Sequence, residues 1–314
     1  MTSNEESEQK FEYFKTLFEI SYDKNKEEEL KKELKNIEEK KFFLESYKTE
    51  TSSEKKLQLI KNYQNKQIIK IFNKIFYYRR LNDFKKELEI YQNLSEPKNF
   101  YFQFNEMCGK KQLGLIEEIP EEYFNFKNPK NSYDLLGMNS AFLKKGEIEK
   151  SYILCSEAAD QGNPIAHFNL GVKYQHGEKK DYQKALHHYQ TALDEGFLPA
   201  ALNIGDLYFL GFLGEKNETK AKEYYEFSLN SGYELAYGYL AWFYENSENF
   251  KDQIKAIYYL KLSADLGFVE SQYLLGEKYK YGSIVNTDLK LARYYLELSA
   301  SKGYENAKKL LKYL

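Results

Sequence analysis

Cysteine is close to absent from this chain: Cys108 and Cys155 are the only two in 314 residues, too few for a disulfide framework. An excess of one charge is missing as well. The formal net charge is −2, so nothing global points to nucleic acid or to acidic substrates. No apolar run approaches the length needed to cross a bilayer. Met1 to Lys10 is acidic and polar with no apolar centre, so no secretory signal is expected there. The expected location is cytoplasmic, with export by a signal-independent route left open.

Catalytic signatures are also lacking. There is no Walker loop, no Gly-x-Ser-x-Gly elbow, no His-Glu-x-x-His and no glycine-rich dinucleotide turn. The four histidines are His167, His176, His187 and His188. The last two are adjacent on a helical segment and point about 100° apart, a poor chelate. Cys155 falls on the inner face of a helix where a small residue packs, and Cys108 has no histidine partner that the sequence identifies. The expectation is a non-enzymatic chain with no catalytic residue, no metal and no cofactor.

What the chain has instead is tyrosine, thirty of them, and a regular beat of glycine. Gly162, Gly196, Gly232, Gly267 and Gly303 are spaced 34, 36, 35 and 36 residues apart. A second ladder runs in phase: Leu136-Gly137, Leu170-Gly171, Ile204-Gly205, Leu240-Ala241 and Leu275-Gly276. Self-similarity at this period means one supersecondary unit stacked on copies of itself. Within a copy, Ala166, Leu170, Gly171 and Tyr174 recur at helical spacing. Gly177 follows and is expected to end that helix in the left-handed conformation. A second helix starts near Asp181, whose carboxylate can accept orphan N–H groups. It carries Ala185, Tyr189 and Ala192-Leu193 and stops at Gly196. Small residues at Gly171, Ala185 and Ala192 let helices approach closely.

The small-x-x-x-Leu-Gly-x-x-Tyr-x-x-Gly pattern, followed by Lys-Ala and a Gly stop, resembles the Sel-one-like repeat, a relative of the tetratricopeptide repeat. The resemblance covers residues 131 to 314 as five copies, with a final helix from about Asn306 to Leu314. It implies an all-α, right-handed solenoid of antiparallel helix pairs. Two cysteines set the chain apart from cysteine-rich secreted members of that repeat class. The aromatic that is often Trp in the family's second helix is Tyr189, Tyr225 or Tyr295 here. The resemblance further implies that first helices line a concave groove. By tetratricopeptide geometry the groove positions are Met138 and Phe142, then Phe168, Val172 and His176, then Leu202, Asp206, Phe209 and Leu210. The last two copies give Trp242, and then Tyr273, Glu277 and Tyr281. Aromatic anchors are favoured in binding hot spots. The expected function is a scaffold or adaptor that binds a partner protein there. Alternatives are an immunity protein neutralising a cognate toxin, or a secreted host-interaction effector. A third is an N-terminal enzymatic or membrane-binding module for which the repeats act as targeting arm.

Residues 1 to 130 are expected to be a helical N-terminal region, with degenerate repeats that extend the solenoid favoured over a separate helical domain. Helical stripes are expected at Leu30, Leu34, Ile37 and Phe42, at Ile60, Ile68, Phe72, Ile75 and Phe76, and at Phe84, Leu88 and Tyr91. Basic residues crowd the span from Lys55 to Lys86. Lys66, Lys70 and Lys74 lie along one face, and Arg79 and Arg80 follow. Such a surface can hold anionic membrane or phosphate. A solvated face paired with the Glu-rich stretch from Glu27 to Glu39 is the favoured account, so nucleic acid and membrane are not the expected partners.

Overall fold

The computed structural model describes residues 53–94 and 100–314. The stripe at Leu30 to Phe42, the Glu-rich stretch and the side chains of Lys55, Lys56, Ile60 and Lys61 lie outside the described residues. The chain divides into two compact units, Met1–Asn65 and Lys66–Leu314. Of the first, only the opening of helix α1 (Ser53–Arg80) is described. In the second, the rest of α1 is followed by α2 (Phe84–Gln92), α3 (Phe100–Gln112) and a 3-10 turn (Glu121–Phe124). Five helix pairs come next: α4 (Ser132–Lys145) with α5 (Ile148–Asp160), α6 (Pro164–His176) with α7 (Tyr182–Asp194), and α8 (Pro199–Phe209) with α9 (Glu218–Asn230). The last are α10 (Ala236–Asn246) with α11 (Gln253–Asp265) and α12 (Val269–Tyr281) with α13 (Leu289–Ser301), closed by α14 (Glu305–Leu311). Among the described residues there is no strand, and each helix of the repeats packs on its neighbours in sequence. This is the expected all-α solenoid.

In repeats two, three and five the glycine of the Leu-Gly mark makes room for its own second helix. A Cβ on Gly171 would lie 2.6 Å from the Tyr189 ring, and one on Gly205 would lie 2.4 Å from the Tyr225 ring. On Gly276 it would meet Leu296 Cγ at 2.7 Å. Repeat four has Ala241 at this position, and there the facing residue is the smaller Leu260, in the same core cluster. Gly137 in repeat one differs: its Cβ would strike the Phe100 ring at 2.6 Å and the Tyr101 nitrogen at 2.7 Å, so the space admits α3 instead.

The second-helix aromatics occupy two adjacent columns, and the sequence pattern merged them. Tyr189 and Tyr225 face the Leu-Gly mark and are fully buried. One residue earlier, the column reads His188, Tyr224, Tyr259 and Tyr295, and each ring stacks on the tyrosine of its own first helix. The pairs are Tyr174 on His188 (5.5 Å between centroids), Tyr208 on Tyr224 (6.0 Å), Tyr244 on Tyr259 (5.8 Å) and Tyr279 on Tyr295 (6.1 Å). The loops joining the two helices differ in length but close in one way. The N–H of the cap residue donates to the carbonyl of that same first-helix tyrosine: Asp181 to Tyr174 at 2.8 Å, and Asn217 to Tyr208, Asp252 to Tyr244 and Asp288 to Tyr279 at 2.9 Å each. The cap side chains then accept the first free N–H groups of the second helix. Period variation is absorbed between two fixed points.

Gly196 and its counterparts end the second helices with positive φ, +87° at Gly196, the region only glycine enters freely. The following residue closes the turn, as Phe197 N–H does onto the Ala192 carbonyl at 3.0 Å. Gly177 departs from expectation. Its φ is −71°, so it does not end α6 in the left-handed region. What excludes a side chain there is the Lys173 carbonyl oxygen, 2.5 Å from where a Cβ would sit.

Helix α1 beyond Lys66 lies along the row of rings that follow the repeat-end glycines. Asn73 Nδ2 donates to the Gly196 carbonyl at 3.1 Å and Asn73 Oδ1 accepts from Leu198 N–H at 3.2 Å. Phe76 meets Phe168 and Phe197 edge-on. Tyr77 meets Tyr233 and Phe268, and its hydroxyl donates to Glu234 at 2.9 Å. Phe72 and Ile75 are fully buried. This part of the front region is therefore a component of the repeat core.

Candidate partner-binding groove

Between the first helices of repeats three, four and five an open cavity of about 380 Å³ remains. Its apolar walls are Leu210 from α8, Leu235, Tyr239 and Trp242 from the α10 region, and Phe268 and Leu274 from the α12 region. Leu210, Trp242 and Leu274 are 42%, 40% and 39% exposed, each from a different repeat. The polar groups are Asp206, Glu270, the Ser263 and Ser271 hydroxyls, and Arg80 at the end of α1. Those two hydroxyls are 2.7 Å apart and satisfy each other.

Gly238 lines the cavity where the other repeats carry a side chain. Two residues before the Leu-Gly mark, repeats two, three and five carry Phe168, Leu202 and Tyr273, whereas repeat four carries glycine. A Cβ there would find only the Ser263 and Ser271 hydroxyl oxygens, at 3.4 and 3.7 Å. Sequence reading missed Gly238, Tyr239, Glu270 and Leu274. The signal that could have found them is this one glycine in a column of large side chains.

The expected groove positions divide into three groups. Asp206, Leu210 and Trp242 line the cavity. Leu202 and Phe209 do not: they are 1% and 5% exposed and belong to the core. Leu202 shares that core with Leu81, which follows α1, and Phe209 packs beneath Trp242 with ring centroids 4.6 Å apart. Met138 packs against the cluster around Phe100 and Phe104. Phe168 and Val172 join the core that Ile69, Phe72 and Ile75 of α1 complete. Phe142 is half-buried with the Lys150 ammonium over its ring, and His176 is exposed at the end of α6. Tyr273 is half-buried beside Tyr304 and donates to Glu277 at 3.0 Å, while Tyr281 is exposed.

The basic residues of α1 also separate. Lys66 and Lys74 are exposed and Lys70 is half-buried. Arg79 is not a free surface charge. Its Nε donates to the buried Glu87 carboxylate at 3.2 Å, and Tyr91 donates to that same carboxylate at 2.8 Å. Arg80 alone of this set reaches the cavity.

Asp206 is the electrostatic centre of the groove. Burial pushes its carboxyl up to about 6, against the pull of the Tyr225 hydroxyl, which donates to it at 2.6 Å. Among the described residues no cation contributes to that balance. Elsewhere, burial pushes the Cys155 thiol up to about 12 and raises that of Cys108, the reverse of what a nucleophilic thiolate needs. His167 and His188 touch through their Nδ1 atoms at 3.0 Å. Burial, reinforced by the neighbouring histidines, brings His188 down to about 4. Among the described residues no group of three or more His, Cys, Asp or Glu side chains could hold a metal. No described helix is long and apolar enough to cross a membrane.

Stacked antiparallel pairs around an aromatic groove define a helix-pair repeat protein. The Sel1 repeat family matches residues 135–163, 164–197, 198–233, 234–268 and 269–304, more than half of the chain, and the chain belongs to that family. Its repeats are generally protein-interaction scaffolds and generally non-enzymatic. An uncharacterised protein of Neisseria meningitidis serogroup B is 25% identical over 179 residues, 56% of this chain and 37% of its own length. Human protein sel-1 homolog 2 is 32% identical over 192 residues, 60% of this chain and 26% of its own length. The chain thus spans well under half the length of either relative. The crystal structure of a Sel1 repeat protein from Oxalobacter formigenes superposes with a TM-score of 0.51 at 25% identity, covering 68% of this chain and 87% of that one.

Proposed function

We propose that this chain is a non-catalytic scaffold that holds a segment of a partner protein in the groove of repeats three to five. The observation that carries this reading is the continuity of Leu210, Trp242 and Leu274 along one open cavity, one large apolar side chain per repeat. Contiguous exposed apolar surface on a folded domain marks an interaction site. In repeat two α1 packs over Phe168 and Phe197. The partner segment completes in trans what α1 supplies in cis along repeats two to four.

The test uses three baits in parallel affinity captures from native lysate: the native chain, Gly238→Leu and Trp242→Ala. Gly238→Leu puts into the cavity the side chain that repeat three carries at that position as Leu202. It keeps the helix and gains about 0.5–1 kcal/mol of helix propensity over glycine. A groove partner is retained by the native chain and lost by both variants. Truncating a central aromatic anchor costs about 2–4 kcal/mol, or roughly thirty- to a thousandfold in affinity. A partner retained equally by all three baits refutes the groove. Retention that instead falls steeply with salt and with Lys66→Glu and Lys74→Glu assigns binding to α1.

A further inference from the structure

The groove also carries information about the chemistry of its occupant, an inference that rests on the proposed function. Along α10, Trp242 lies two turns beyond Leu235, roughly 10 Å at 1.5 Å per residue. Leu210 likewise lies one turn beyond Asp206 on α8. Asp206 and Trp242 each follow the Leu-Gly mark of their repeat, so the carboxylate and the indole line the cavity at one level, while Leu235 and Glu270 line it two turns earlier on their helices. Asp206 is half-buried and makes no ion pair among the described residues, its one hydrogen bond there being the Tyr225 hydroxyl at 2.6 Å. A carboxylate withdrawn from water without a counter-charge is unfavourable unless a cation or further donors meet it. The lining holds two carboxylates, Asp206 and Glu270, against the single guanidinium of Arg80.

We infer that the groove selects a peptide segment carrying a large apolar side chain next to a lysine or arginine. The apolar side chain occupies the space above Gly238, against Leu210, Trp242 and Leu274. The neighbouring cation reaches Asp206. The groups facing Asp206 from packed elements are the hydroxyls of Tyr189, Tyr225 and Tyr239; Arg80 lines the same cavity and is its one cation among the described residues, against the two carboxylates. Burial that pushes the carboxyl up to about 6 has the same origin as its affinity for a cation.

The test pans a phage-displayed random dodecapeptide library on the full chain, with Gly238→Leu as counter-selection. Synthetic versions of the enriched peptides are then titrated against the full chain. Trp242 is the only tryptophan, so its fluorescence reads occupancy of the cavity directly. The expected sequences pair Leu, Ile, Met, Phe or Trp with Lys or Arg within two residues. The expected affinity falls about tenfold in Asp206→Asn, which still accepts the Tyr225 hydrogen bond. It also falls in the native chain as pH drops below 6, while Asp206→Asn shows no such drop. Enriched peptides that lack a basic residue, or that bind Asp206→Asn as tightly as the native chain, overturn this inference and leave the groove standing. No enrichment over Gly238→Leu overturns the inference and the groove together.

Discussion

Replacing Gly171 tests the physical meaning of the Leu-Gly mark. A Cβ there would lie 2.6 Å from two carbons of the Tyr189 ring and 3.1 Å from a third, all inside van der Waals contact. The ring has nowhere to go, because Tyr189 is fully buried and its hydroxyl donates to the buried Gln175 at 2.6 Å. Overpacking of this kind costs about 1–3 kcal/mol. Alanine returns about 1 kcal/mol of helix propensity relative to glycine, so Gly171→Ala is expected to lose on the order of 1 kcal/mol, and Gly171→Leu about 3 kcal/mol or more. Repeat four indicates the compensation, since Ala241 there shares a core with Leu260. Tyr189→Leu alone should cost roughly 2–4 kcal/mol through a cavity and an orphaned Gln175. Combined with Gly171→Ala it should cost at least about 1 kcal/mol less than the sum of the singles. The assay is urea denaturation followed by far-UV circular dichroism, with the midpoint and slope compared across the five proteins. A Gly171→Leu midpoint equal to that of the native chain, or additive singles, would show that this ladder is not a helix–helix contact.

Two further outcomes depend on single side chains. His188 occupies the column that holds tyrosine in the next three repeats, and burial brings it down to about 4 from 6.5. The unfolded chain therefore takes up protons that the folded chain refuses, and stability falls as pH drops from about 6.5 toward 4. His188→Tyr should remove most of that loss, on the order of 1 kcal/mol after screening at these half-exposed rings, in thermal melts at pH 7 and pH 5. An unchanged difference between the two melts rejects this role for His188. Glu218 accepts from the Ser247 hydroxyl and the Glu248 N–H at 2.8 Å, and from the Asn249 N–H and Nδ2 at 2.9 Å each. Glu218→Ala orphans donors in the turn after α10 and should cost about 1–3 kcal/mol by urea denaturation, with early amide exchange confined to residues 247–250. A loss under 0.5 kcal/mol, roughly the scale of an exposed substitution, would place that turn's stability elsewhere.

The fold was legible because its rules are local and recur. Glycine every 34 to 36 residues, a small residue under a ring and an acidic or amide cap are each readable one repeat at a time. The groove was legible only in part. Periodicity shows which side of α8 faces inward, but whether Leu202 meets solvent is decided by the end of α1, more than a hundred residues away. Phe209 misled for a related reason: it stands next to Leu210 on the helix, and which of the two turns out depends on Trp242 of the next repeat. Arg79 looked like surface charge because Glu87, its partner across the turn to α2, lies in a helix whose packing the sequence does not show. Gly238 is visible only when the repeats are aligned column by column, as the one glycine among Phe168, Leu202 and Tyr273.

Tyr225 joins the repeat core to the groove. Its ring is what the glycine at 205 accommodates, with a Cβ there only 2.4 Å from it, and its hydroxyl is what Asp206 receives at 2.6 Å. One side chain therefore serves the core with its apolar face and the groove with its polar tip, as buried tyrosines with a satisfied hydroxyl do. The two roles can be separated. Tyr225→Phe keeps the ring beneath Gly205 and should cost only about 1 kcal/mol of stability, the net value of one hydrogen bond. Asp206 would then have burial without its donor. The hydroxyl now holds the carboxyl below where burial alone would put it, so the substitution should move its titration upward from about 6 and leave more of it neutral at pH 7. Gly205→Ala, by contrast, displaces the ring itself and should disturb core and carboxylate together. Carboxyl carbon chemical shifts measured against pH distinguish the cases. An Asp206 that titrates at the same pH or lower in Tyr225→Phe would mean that the hydroxyl does not govern its charge, and that the link between repeat mark and groove is one of proximity alone.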